Sequence, residues 1–140
     1  MNYPNAADEE LMLATYSTPR DDVEAVIEPE VIRTMTAEAG KIFVEEHLLG
    51  YVVRLVTATR HHPSVLLGAS PRASLALLRC SKASAYIAGR DHVIPDDIRQ
   101  LAPHVLTHRI IVSPDAELDQ ITSVNVIDDC LDSTPYHPHG

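Results

Sequence analysis

The run Gly68-Ala69-Ser70-Pro71-Arg72-Ala73 holds the residue types and spacing that point most directly to chemistry. Glycine permits a sharp change of direction, serine is a strong N-cap and proline is favoured at the first helical position, so a helix starts here. Arg72 then falls in its first turn, where the positive end of the helix macrodipole disfavours a cation by up to about 1 kcal/mol. One reading is an anion held jointly by the exposed N–H groups of the helix start and the guanidinium, a geometry that suits phosphate. The other is an exposed arginine paired with a nearby carboxylate.

Other routes to chemistry are poorly served. No Gly-x-Ser-x-Gly, HExxH, GxGxxG or GxxxxGK[ST] pattern occurs, and five glycines do not build a phosphate cradle. Gly40-Lys41-Ile42 lacks the upstream glycine and the hydroxyl of a P-loop. The apolar residues before Asp128 and Asp129 imitate a metal-binding strand end, but without a P-loop they read as an amphipathic acidic helix. His61 and His62 are adjacent at a helix end and point in different directions, so no metal site is expected. Cys80 and Cys130 lack zinc-ligand spacing and are expected to be unreactive packing thiols in a reducing cytoplasm.

The net charge of −9 opposes nucleic-acid binding. Residues 1–50 hold 11 acidic and 3 basic side chains, 51–112 hold 3 and 8, and 113–140 hold 6 and none. The middle segment is therefore basic, and arginine dominates it: Arg54, Arg60, Arg72, Arg79, Arg90, Arg99 and Arg109 accompany Lys82. For most of these the plain reading is a solvated helix face paired with the acidic first half. No apolar stretch approaches the roughly 20 residues that span a bilayer, and the N-terminus lacks a basic region followed by an apolar run. A cytoplasmic protein, neither exported nor in a membrane, is expected.

The elements that must position Arg72 are mostly helical. A first helix follows Pro4 to about Tyr16, with Asp8, Glu9 and Glu10 in an early turn. Thr18, Pro19 and residues 20–24 read as a loop, and Glu28-Pro29-Glu30 opens a helix to about Ala39, with Gly40 as its stop. Ile42, Phe43 and Val44 form a short extended piece. Over 45–60, Leu48, Val52, Leu55, Val56 and Thr59 recur along one helical face. His61-His62-Pro63 ends that helix, and Val65, Leu66 and Leu67 are expected to fold back onto the bundle. A long helix then covers 73–88, with Ala76, Cys80, Ala83 and Ile87 as its close-packing seam and Gly89 as its end. His92-Val93-Ile94 is extended, and Pro95 starts a helix to about Ala102 that Pro103 lets continue only briefly. Residues 109–112 could be extended, and Pro114 separates an acidic tail in which 121–131 could form a last helix capped at Thr122 or Ser123. Residues 135–140 are expected to be disordered.

These residues resemble a known family, the C-terminal lid of MoxR-type AAA+ ATPases. Tyr3-Pro4 followed by Asp8-Glu9-Glu10-Leu11 resembles the junction after the ATPase core, and Val44 with LLGYVVRLVTATR over 48–60 resembles the first long lid helix. LGASPRASLALLRCSKASAYIAGRDHVIPDDIRQLAPHVLTHRI, over 67–110, is similar to the most distinctive lid stretch. The resemblance covers residues 1–112, and the acidic tail at 113–140 matches more loosely. It implies a mainly α helical bundle of four to six helices with short extended links, packed against an αβα nucleotide-binding core.

In that family the arginine of GASPR is the sensor-2 residue that reaches the γ-phosphate of ATP, which maps to Arg72. Gly68, Ser70 and Pro71 would position it, and Tyr3 and Pro4 would lie near the adenine. Beyond Arg72, Arg54 and Arg60 are nucleotide-facing candidates by helix position and charge alone. The resemblance further implies ring oligomers, usually hexamers, that act as chaperone-like machines in maturing protein complexes or inserting metal cofactors, often beside von Willebrand A domain partners. Walker A, Walker B, sensor 1 and the arginine finger belong to the core and are absent from this sequence. ATP and Mg are therefore expected in a full-length parent, and this chain alone is expected to be inactive, a truncated piece or isolated domain. A free-standing helical adaptor that binds a partner protein without nucleotide is the alternative.

Overall fold

The computed structural model describes residues 5–17 and 25–136. Seven α-helices appear among them: α1 (Ala6–Tyr16), α2 (Pro29–Gly40), α3 (Glu46–His61), α4 (Pro71–Ile87), α5 (Pro95–Leu106), α6 (Pro114–Leu118) and α7 (Ser123–Ser133). Two short strands, β1 (Val65–Leu67) and β2 (Ile111–Val112), pair antiparallel. The fold is mainly α, as expected, with α6 as the helix beyond the six read from sequence. The loop expected over 18–24, and Tyr3 and Pro4, lie outside the described residues, as does 137–140 of the disorder expected at 135–140; at its start that expectation fails, because Tyr136 packs against the core.

The core forms where α4 meets α3 and α5 and where α7 closes over both. Every residue of the expected α3 face is buried, and Tyr51 joins it. On α4 the buried face is Ala73, Leu77, Ser81 and Ala85, whereas Cys80 and Ile87 of the expected seam are exposed and Ala76 and Ala83 are half-buried. Small residues lie on both faces of this alanine-rich helix, so periodicity alone does not choose between them; the face that packs carries Ala73, Ser81 and Ala85, small enough for α3 and α5 to approach closely around Leu77. Cys80 is thus not a packing thiol. Cys130 is one, and burial first, then the neighbouring Asp129 charge, pushes its thiol pKa up.

Helix ends follow local chemistry. The Asn5 side chain caps α1 by accepting the Asp8 N–H at 2.9 Å. Gly89 adopts φ +72°, which lets the Arg90 N–H reach back to the Ala85 carbonyl at 2.9 Å and close α4. α5 continues past Ala102 to Leu106 with Pro103 inside it, followed by a 3₁₀ turn (Thr107–Arg109). The Thr107 hydroxyl donates to the Pro103 carbonyl at that junction. Leu66 and Leu67 do not fold onto the bundle: they are exposed on β1, and only Val65 packs on the core. The other two extended pieces meet in a parallel bridge between Phe43 and His92.

The acidic segment after residue 112 carries two helices. Ser113 caps α6, Thr122 and Asn125 cap α7 reciprocally, and Val126, Ile127, Cys130 and Leu131 enter the common core. Tyr136 then packs its ring edge-on to Tyr51, with centroids 5.7 Å apart.

A buried carboxylate fixes the start of α5. Asp97, only 5% exposed, accepts bidentate hydrogen bonds from Arg90 at 2.8 and 2.6 Å, the Ile94 N–H at 2.9 Å and the Ser84 hydroxyl at 3.2 Å. Burial pushes its carboxyl pKa up, but the Arg90 hydrogen bonds, the Ile94 N–H, the Arg90 charge and Ser84 outweigh it and hold the group below the usual carboxylate range. A carboxyl lowered on folding contributes stability above its unfolded pKa of about 3.9, and that contribution fades as pH falls through the folded value. Asp97→Asn should therefore lose about 2 kcal/mol at neutral pH. Thermal melts followed by circular dichroism check this: the variant melts earlier at pH 7, and the gap to wild type narrows as the pH falls below 4.

Candidate functional site

The connection from α3 to α4 is held by its backbone. Thr59, fully buried on the apolar face of α3, donates its hydroxyl to the Val56 carbonyl at 2.7 Å and accepts the Ala69 N–H at 3.0 Å. Arg60 donates from Nε to the Ala69 carbonyl at 2.7 Å. Both polar groups of Ala69, itself fully buried, are thus satisfied by neighbouring residues of one helix.

Gly68 makes that approach possible. A Cβ at position 68 would sit 2.5 Å from the Arg60 Cα and 2.7 Å from its N and Cγ, so the loop passes directly over the α3 backbone. Ser70 occupies the N-cap position in extended conformation, although its side chain makes no capping bond, and Pro71 is the first helical residue. The Ala73 N–H donates to the Ser70 carbonyl at 2.8 Å and completes the turn. Gly68, Ser70 and Pro71 are therefore brought together with Arg72 at one rigid helix start.

Arg72 itself is exposed in the first turn of α4. Among the described residues no carboxylate pairs with it, nor with Arg54, Arg60 or Arg79. Among the described residues no ion pair joins the basic middle segment to the acidic first half: Arg33 and Lys41 bind Glu30 and Glu38 within or beside α2, Arg90 binds Asp97, and Arg99 lies 3.9 Å from Asp132. Lys82 donates to the Gly40 carbonyl and caps α2.

His61 and His62 make local contacts. His61 Nδ1 lies 3.0 Å from the Thr57 carbonyl, while the Ser64 N–H donates to His62 Nδ1 at 3.2 Å and His62 Nε2 lies 3.6 Å from Asp129. The two rings serve separate partners, and no group of three metal-ligating side chains exists among the described residues. Asp128 and Asp129 lie exposed on α7.

Sequence reasoning missed Thr59 and Arg60 as the holders of the loop. A signal was present: Thr59 shares the periodic face of α3 with Leu48, Val52, Leu55 and Val56, and a hydroxyl at a buried position needs partners.

The described residues thus form a helical bundle that presents Arg72 from a helix start pinned to α3. A model for the AAA lid domain matches residues 57–130. YeaC of Bacillus subtilis, an uncharacterized protein, is 38% identical over 129 residues, which are 91% of this chain and 40% of YeaC. Chaperone MoxR1 of Mycobacterium tuberculosis is 34% identical over 141 residues, 94% of this chain and 37% of that protein. The crystal structure of a candidate ATPase from Cytophaga hutchinsonii superposes with a TM-score of 0.78 at 28% identity, covering 98% of this chain and 45% of that one. The chain belongs to the AAA lid domain family and is a lid of the MoxR type. It spans about two fifths of the length of these curated relatives.

Placing a methyl group at position 68 tests the close crossing directly. Gly68→Ala should destabilise the chain by about 2 kcal/mol, because the Cβ meets backbone atoms that cannot rotate away. Denaturant unfolding monitored by circular dichroism measures it; stability equal to wild type would contradict the crossing.

Proposed function

We propose that this lid carries the sensor-2 arginine of a MoxR-type ATPase and that Arg72 couples the presence of the γ-phosphate to closure of the lid on its core. The observation that supports this reading is the exposed, unpaired Arg72 at a helix start whose preceding loop is pinned to α3. A cation in that turn is disfavoured until an anion arrives. ATP with Mg, held by the core, supplies a transferable γ-phosphoryl group whose charge the guanidinium can meet with a forked pair of hydrogen bonds. The described residues fit that single contact and include no cluster to hold the metal, so catalysis depends on the core.

The rest of the reading rests on family membership. Arg72 gains a partner with ATP and loses it after γ-phosphate release, so the lid shifts population by the difference in binding between the two states. Through the body carrying α4, that shift would pass to neighbouring subunits in a ring and to client or von Willebrand A domain partners of a chaperone-like machine. Tyr3 and Pro4 enter as adenine neighbours through the resemblance alone.

The test is made in the full-length ATPase. Arg72→Ala should reduce phosphate release from Mg-ATP by about 100- to 1000-fold, the range for losing one charge-stabilising donor. ADP should bind as in wild type. Wild-type turnover in the variant would remove Arg72 from this role.

A further inference from the structure

The start of α4 has no side-chain cap of its own, so its aim depends on what holds the residues just before it. Ser70 makes no capping bond, and Pro71 has no N–H to give. The last fixed point ahead of Arg72 is Ala69, three residues upstream, whose N–H and carbonyl are bound respectively by Thr59 and Arg60. Between them, Pro71 fixes its own φ, and the Ala73 N–H to Ser70 carbonyl bond closes the turn. Little torsional freedom remains between the Thr59 hydroxyl and the Arg72 Cα.

Thr59 is unusual among core residues for having both hydrogen-bonding directions committed. Its proton goes to the Val56 carbonyl of its own helix, which leaves a lone pair aimed at the Ala69 N–H. A valine would fill the same volume and accept nothing, whereas serine would keep the acceptor and lose only a methyl group.

We infer that Thr59 is a positioning residue for Arg72: its buried hydroxyl, assisted by Arg60 Nε, fixes Ala69 and thereby sets where the Arg72 side chain leaves the helix start. This inference rests on the sensor reading of Arg72 and assigns that site a determinant 13 residues upstream, on a different helix. Thr59 touches no phosphate in this scheme. It acts only through the loop.

The experiment is a double-mutant cycle in the full-length ATPase, read by two quantities. One is kcat for Mg-ATP. The other is the ratio of affinities for a non-hydrolysable ATP analogue and ADP, measured by calorimetry, which stays readable when turnover is lost. Thr59→Val should lower kcat by about tenfold and reduce the ATP-over-ADP ratio with ADP affinity unchanged, since small displacements of a positioning group carry losses of this size. Thr59→Ser should restore both. Arg60→Met, at an exposed position that threatens folding less, should move both in the same direction. In an Arg72→Ala background neither Thr59→Val nor Arg60→Met should change the affinity ratio further.

An unchanged ratio in both single variants overturns the inference, and so does a loss that persists in the Arg72→Ala background, which marks a general structural role. Wild-type ratio and turnover in Arg72→Ala alone overturns the sensor reading itself, and the positioning role falls with it. A loss in Arg72→Ala with additive Thr59 and Arg60 effects overturns only the positioning role.

Discussion

The start of α4, and with it the place of Arg72, depends on two hydrogen bonds to one alanine. The backbone of Ala69 is buried, and an unpaired N–H or carbonyl there would cost on the order of 1–3 kcal/mol each. Thr59 and Arg60 satisfy both, and they can do so only because Gly68 has no side chain to hold the loop away from α3. The short β1–β2 pairing begins on the same connection, with the Ser113 N–H bound to the Ser64 carbonyl. The end of α3, the start of α4 and the strand leading to α6 are thus tied at one place.

From that tie the rest of the packing follows. α4 leaves the loop in a fixed direction and becomes the helix that α2, α3 and α5 share. Its far end is fixed by a different device, the left-handed Gly89 and the Arg90–Asp97 pair that anchors the start of α5. A helix held at both ends behaves as a lever. Arg72 sits at one end of it without a carboxylate partner among the described residues, so its charge remains available to an anion brought by another part of the protein.

Much of this was legible in the sequence because the decisive signals are local. Ser70-Pro71 and Pro95 mark helix starts, Gly89 marks an end, and the α3 periodicity identifies every residue of its buried face except Tyr51. The α4 face was misread because its sequence is nearly uniform in size, so periodicity alone does not separate Ala73-Leu77-Ser81-Ala85 from Ala76-Cys80-Ala83-Ile87. Leu66 and Leu67 differ from the expectation for a related reason: an apolar run announces burial, but β1 is bulged, stepping two residues from Val65 to Leu67 against one from Val112 to Ile111, so Leu67 leaves the face that packs Val65. The Phe43–His92 bridge joins residues through backbone groups, which leave almost no trace in residue type, and the Thr59 hydroxyl, although its buried place on α3 called for a partner, carried no sign that the partner is the Ala69 N–H. The place of Arg72 in the first turn of a helix was legible; what holds that turn against α3 was not.

The central claim is that the loop before Arg72 is as rigid as the core it crosses. Hydrogen exchange of the Ala69 amide in the 140-residue chain, resolved by NMR, measures this directly. The account predicts exchange as slow as that of the buried α3 amides of Leu55 and Val56, and acceleration in Thr59→Val. Exchange at the rate of an open loop would contradict it, because Arg72 would then have no fixed bearing on a phosphate.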